Sequence, residues 1–231
     1  MNPCDVDLPA VHLLLIDDHP LIHVAVKALL ADFEPQVSLS SAEGAQQAMA
    51  HLSAQQPDLL LLDLQLRDED GFALLDQLRE SHPAVPIVCL SGSDQMADVV
   101  RAIDHGAMGF IPKYVNPEEF KAALTLVVMG GIYVPSMRSG ERRARGSSAQ
   151  TGVEMPDLAQ PMSLEGLPIT PRQQEVLRYL LQAKPNKLIA SELRISAETV
   201  KDHVQAIYRA LGVSTRTQVV LAVSQMARAP S

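Results

Sequence analysis

Tryptophan is absent from these 231 residues, and aromatics make up only 3% of them. Any core is therefore aliphatic, and a hydrophobic content of 47% is enough to build one. Cysteine is almost missing. Cys4 and Cys89 occur alone, which excludes a disulfide framework, and Cys89 sits in an apolar run where it reads as a buried thiol. No apolar run reaches the length of a membrane span. The best, residues 122–134, is interrupted by Gly130-Gly131. The first ten residues carry Asp5 and Asp7 and no basic segment, so no secretory leader is expected and the cytosol is the expected compartment. No internal repeat occurs.

Positive charge is scarce in the front of the chain and negative charge in the tail. Residues 1–163 hold 10 Lys/Arg against 22 Asp/Glu, a net of −12; residues 164–231 hold 9 against 5, a net of +4. Only the tail is suited to a polyanion. At this length two domains are expected, and the charge divides where the composition does. Residues 136–163 have no apolar period and are rich in Ser, Gly, Pro and Arg, so they read as a flexible linker. Arg142, Arg143 and Arg145 within it read as solvated rather than as phosphate contacts.

What the front half has is Leu59-Leu60-Leu61-Leu62-Asp63, a run buried on both faces that ends in a carboxylate. Val11-His12-Leu13-Leu14-Leu15-Ile16 ends in Asp17-Asp18 in the same way. Ile87-Val88-Cys89-Leu90 ends in Ser91, and the run through Phe110-Ile111-Pro112 ends in Lys113. With a shorter strand from Val37, these runs alternate with helical patterns, giving a doubly wound five-stranded parallel sheet. Ligands of such sheets bind at the carboxyl ends of the strands, where Asp17, Asp18, Asp63, Ser91 and Lys113 would converge. Three close carboxylates cannot all stay ionised without a cation, and hard oxygen donors suit Mg²⁺.

This order of residues resembles the receiver domain of bacterial two-component response regulators, over residues 10–131. The resemblance implies a flavodoxin-like fold, a sensor histidine kinase as partner, and phosphorylation of Asp63. It implies Mg²⁺ on Asp18, Asp63 and the Gln65 carbonyl, with Asp17 acting through water. Lys113 would pair with the phosphoryl group, Ser91 would hydrogen-bond it, and Phe110 would be the switch aromatic. Two features depart from the commoner pattern: Pro112 precedes the lysine where a proline usually follows it, and the loop Arg67-Asp68-Glu69-Asp70 is unusually acidic, which reads as solvated. His19 and His23 lack a third metal ligand at fitting spacing and read as surface histidines.

Residues 132–163 are taken as the linker and 164–229 as an all-α domain of four helices. Thr170-Pro171-Arg172-Gln173 starts the first with a capping box. A short helix from Asn186, a turn at Arg194-Ile195, and a helix capped by Ser196 and ended by Gly212 form a helix-turn-helix pattern. Val200, Val204, Ile207 and Leu211 share one stripe of the second helix, with Lys201, Asp202, Gln205 and Arg209 opposite. The spelling Thr170-Pro171-Arg172, Glu175-Val176-Leu177, Thr199-Val200-Lys201, Leu211-Gly212-Val213 and Arg216-Thr217-Gln218 resembles the LuxR-type helix-turn-helix, and with the receiver the NarL/FixJ class. The resemblance implies a cytoplasmic transcription regulator, not an enzyme, that binds double-stranded DNA. The contacts would fall to Lys187, Ser196, Thr199, Lys201, Asp202, Gln205 and Arg209. It also implies a homodimer on phosphorylation, with the last helix, 214–227, as its seam. Two rivals stay open: a DNA binder indifferent to phosphorylation, supported by failure to take a phosphodonor, and an adaptor whose tail ignores DNA.

Overall fold

The computed structural model describes residues 10–33, 36–93, 95–135, 167–182 and 184–226. Most of the expected linker, with Arg142, Arg143 and Arg145, lies outside them, as does the end of the chain past Met226.

Five strands, β1 (Val11–Ile16), β2 (Val37–Ala42), β3 (Leu59–Asp63), β4 (Ile87–Ser91) and β5 (Gly109–Pro112), form one parallel sheet in the order β2-β1-β3-β4-β5. Between them run α1 (Pro20–Leu29), α2 (Ala45–Ala54), α3 (Gly71–Ser81), α4 (Met96–Asp104) and α5 (Pro117–Val128). Alternation along β3 sorts its leucines: Leu60 and Leu62 pack with α2, α3 and α4, whereas Leu59 and Leu61 pack with α1 and α5. Both faces are covered, which is why the strand is unbroken leucine. The strand order reverses beside β1, and the crevice there opens at the carboxyl ends of β1 and β3.

The loop expected to be solvated has work to do. Asp70 caps α3 by accepting from Phe72 N at 2.9 Å, and Glu69 accepts from Ala45 N at 2.9 Å in the first turn of α2. Asn116 caps α5 by accepting from Glu119 N at 2.8 Å, and the Glu119 carboxylate accepts from the Tyr133 hydroxyl at 2.9 Å. The backbone of Tyr133 pairs beside β5, so sheet pairing runs past residue 131 into the span taken as linker. Strand β5 is an edge with free backbone groups, and this segment covers part of it.

The second core is built by α6 (Pro171–Leu181), α7 (Asn186–Leu193), α8 (Ala197–Leu211) and α9 (Arg216–Met226). The Thr170–Gln173 capping box forms, and Gly212 ends α8 in the left-handed conformation at φ 66°. Arg194 makes the turn between α7 and α8 at φ 53°. The four-helix unit rests on the amino-terminal edge of the sheet. Asn186 Nδ2 donates to Ala84 O at 3.3 Å, Lys201 Nζ to Pro57 O at 3.1 Å, and Lys187 Nζ to Ala10 O.

Candidate phosphoacceptor pocket and helix-turn-helix face

Strand register assembles the pocket. Ile16 pairs with Leu62, so Asp17 emerges beside Asp63; Asp63 pairs with Leu90, so Ser91 emerges next; Ser91 pairs with Pro112, so Lys113 closes the row. A Pro112 carbonyl accepting from Val115 N at 3.2 Å turns the chain after Lys113, without a following proline. Asp17 and Asp63 are fully buried. Lys113 Nζ lies 2.7 Å from Asp63 Oδ2 and 2.8 Å from Asp17 Oδ2. Burial alone would pull its ammonium down, but hydrogen bonds and charge from both aspartates win and hold it above its ordinary value. The other Asp63 oxygen accepts from Gln65 N at 2.9 Å, and Gln65 Oε1 accepts from Gly92 N at 3.1 Å. These bonds tie the loop after β3 to the loop after β4. Ser91 Oγ accepts from Ser93 N at 3.0 Å, and Phe110 is buried in the core under α3 and α4.

His19 is not the free surface histidine expected. Its Nδ1 lies 2.7 Å from Asp18 Oδ1 and 3.1 Å from Asp17 Oδ1. The signal was its position directly after the acid pair, at the mouth of the crevice. Arg67 also reaches the pocket, with Nε 3.2 Å from Asp18 Oδ2. One ligand atom each from Asp17, Asp18, His19 and Asp63 falls within 4.8 Å of the others. Asp17 Oδ2 is buried against Lys113 Nζ at 2.8 Å, and Asp18 Oδ1 is buried against His19 Nδ1 at 2.7 Å. Three carboxylates gathered this closely repel one another, and a divalent cation would offset that repulsion. The donor set fits a hard cation such as Mg²⁺.

On the helix-turn-helix, Ser196 Oγ accepts from Thr199 N at 3.0 Å and shares a hydrogen bond with Thr199 Oγ1. Both hydroxyls are occupied at the start of α8. Arg209 and Asp202 are exposed and Gln205 is half-buried. Lys201 is only 4% exposed, because its ammonium is held by the carbonyls of Gln56 and Pro57 and by Glu198 at 3.1 Å. Lys187 pairs with Asp58 at 2.7 Å. Two of the cations expected on the DNA-facing surface are thus turned into the sheet edge. Tyr208, absent from the sequence reading of α8, is buried beside Arg79 and Arg216.

Two family models match separate stretches of the chain. A family model described as the response regulator receiver domain matches residues 13–125, and one described as bacterial regulatory proteins, luxR family, matches 167–223. The nitrate/nitrite response regulator protein NarL of Escherichia coli (strain K12) is 31% identical over 92% of this chain and 94% of its own. A glycerol metabolism activator of Pseudomonas putida is 31% identical over 93% of this chain and 95% of its own. Among solved structures, a LuxR-family two-component response regulator from Aurantimonas sp. SI85-9A1 superposes at a TM-score of 0.51. It has 23% identity and covers 55% of this chain and 90% of its own. The RcsB response regulator of Salmonella typhimurium superposes at 0.51, with 20% identity, over 94% of this chain and all of its own. These two likenesses are of fold.

Proposed function

The chain belongs to the two-component response regulators that join a receiver domain to a LuxR-type helix-turn-helix, and on that premise we propose that Asp63 takes a phosphoryl group and so frees the helix-turn-helix for DNA. Members of this family are DNA-binding regulators of transcription and not enzymes. Among the described residues no helix is long and apolar enough to cross a membrane, and the working compartment on this reading is the cytosol.

The observation that carries the reading is the row Asp17, Asp63, Ser91, Lys113 at successive strand ends. Asp63 Oδ attacks phosphorus, the phosphorus–nitrogen bond of a phosphohistidine breaks, and the imidazole leaves with the electron pair. A divalent cation such as Mg²⁺, held by Asp18, Asp63 and the Gln65 carbonyl with Asp17 through water, would neutralise the phosphoryl oxygens. Lys113 leaves its contact with Asp63 to pair with one phosphoryl oxygen. Ser91 gives up Ser93 N to reach another, and Phe110 keeps or takes the space behind it. Leu21 and Val24, 77% and 65% exposed on α1 beside the pocket, offer a partner kinase an apolar foothold.

On this reading the arrangement described is the one closed to DNA, and its support is that Lys187 and Lys201 face the sheet edge. Release exposes them with Ser196, Thr199, Asp202, Gln205 and Arg209, and α8 enters a major groove. A homodimer seamed by α9 then spans two half-sites about 34 Å apart.

The test is DNA retention at fixed salt, with Mg²⁺, with and without a small phosphodonor, using Asp63→Asn as the control. Tighter retention confined to the phosphorylated wild type is expected. Stoichiometric labelling of Asp63→Asn would sink the assignment, and equal retention in every sample would favour a DNA binder indifferent to phosphate.

A further inference from the structure

The two domains do not meet flush. A cavity of about 60 Å³ lies between them at the amino-terminal edge of the sheet. Its receiver wall includes Val11, Val85, Met108 and Arg79; its helical wall includes Tyr208 and Arg216. Most of it is hydrocarbon, and its charge is one-sided. Arg79, Arg216, Lys187 and Lys201 border it, and the acid among its lining residues is Asp58, which Lys187 already occupies at 2.7 Å.

Among the described residues the two arginines have no carboxylate partner. Arg79, 7% exposed, donates through its terminal nitrogens to Pro83 O at 3.3 Å and to Val85 O. Arg216 donates through one terminal nitrogen to Leu180 O at 3.0 Å and Lys184 O at 2.8 Å. In both residues Nε–H is buried without an acceptor among the described residues. Tyr208 is buried near both guanidiniums. Burial pulls the Arg79 guanidinium down to about 10, and Arg216 is lowered for the same reason. Buried cations facing a common space without an anion are an unmet demand for one.

We propose that this interdomain cavity binds a small organic carboxylate, held by Arg79, Arg216 and Tyr208 and walled by aliphatic side chains. A short-chain acid is the smallest ligand that offers both a carboxylate for the arginines and a hydrocarbon part for the aliphatic wall. A planar carboxylate suits guanidinium N–H donors, and its carbon chain suits Val11, Val85 and Met108. Inorganic phosphate fits poorly, because its fourth oxygen would face hydrocarbon. The site takes Arg79 from one domain and Arg216 and Tyr208 from the other, so it exists whole only when they are docked. The ligand therefore favours the closed arrangement and opposes DNA binding, by differential affinity for the two arrangements.

The experiment titrates the full chain with propionate by calorimetry, then measures DNA retention across the same concentrations. Saturable binding is expected, and at ten times its Kd propionate weakens retention by about tenfold if the open form does not bind it. Arg79→Met keeps the stem, loses the charged donor, and weakens propionate by about tenfold or more. Tyr208→Phe, which leaves the arginines in place, also weakens it and serves if Arg79→Met fails to fold. Absence of binding to the wild type, undiminished binding to both variants, or binding of inorganic phosphate as tight as propionate would each overturn the proposal. Labelling of Asp63 with phosphoramidate, which carries no carboxylate, is run in parallel. Intact labelling beside failed propionate binding removes the carboxylate site and spares the phosphoacceptor reading.

Discussion

Lys113 holds the pocket together by bridging two of its acids. It is the ammonium that meets both Asp17 and Asp63, and these carboxylates are fully buried. Its raised pKa means that the folded state favours the charged form, so the stabilisation is fully present below the ordinary value of 10.5 and is lost as pH rises past it. Across physiological pH the contact is therefore constant and is not a pH switch. Replacing Lys113 with Met leaves two buried carboxylates without their cation. The expected cost is about 3 kcal/mol in urea unfolding with chelator, with part of it restored by Mg²⁺. A variant as stable as wild type in chelator would show that the acids are solvated enough to need no cation. The residue types here were legible in the sequence because each followed an apolar strand. His19 was not, since a histidine's chain spacing says nothing about which loop folds back over it. The real signal was its adjacency to the acid pair.

At the scale of elements, the starts and stops were written locally. Thr170, Ser196 and Gly212 act where a capping argument puts them, because caps are made within one turn of chain. The loop 67–70 departed from its solvated reading in part because Glu69 has a distant partner, and Glu119 likewise reaches beyond its own helix. Tyr133 takes the Glu119 carboxylate and Ala45 N takes that of Glu69. Helix α3 shows the same non-local demand at its first residue. A Cβ on Gly71 would lie 2.5 Å from the Leu64 Cα and 2.6 Å from its carbonyl oxygen. These are backbone atoms, fixed by β3 and by the hydrogen bond from Leu64 N to Leu90 O at 3.0 Å. Gly71→Ala must push α3 away from the loop that carries Gln65. A loss of about 2 kcal/mol in stability is expected, together with slower labelling of Asp63, measured by unfolding and by phosphodonor incorporation. Unchanged stability would show that the loop moves freely, and then Gln65 could not be held for a cation.

The whole molecule sets the pocket at one edge of the sheet and the helix-turn-helix at the other. The strands between them are four to six residues long, roughly 17 Å. A dense positive cluster at the far edge makes closure sensitive to protons. His12 hydrogen-bonds Ser40 through Nε2 at 2.9 Å, and among the described residues its buried Nδ1 has no hydrogen-bond partner. Burial lowers its pKa; Asp58 opposes that, and Lys201, Lys187 and His51 add to it. His82 is lowered by burial first, then by Arg79 and Lys201. The lysine contributions come from the other domain, so opening removes them and moves both histidines back toward 6.5. The open form thus binds more protons than the closed form in the window below 6.5. The closed form is favoured fully above that value and loses its advantage as pH falls through the lowered values. Acidification from about 7.5 to about 5.5 should therefore raise DNA retention by the unphosphorylated chain at fixed salt. His12→Asn with His82→Asn should flatten the rise, because neither asparagine titrates. A rise of the same size in the double variant would assign it to groups on the DNA-facing surface instead, and with it would go the claim that these two histidines report domain closure.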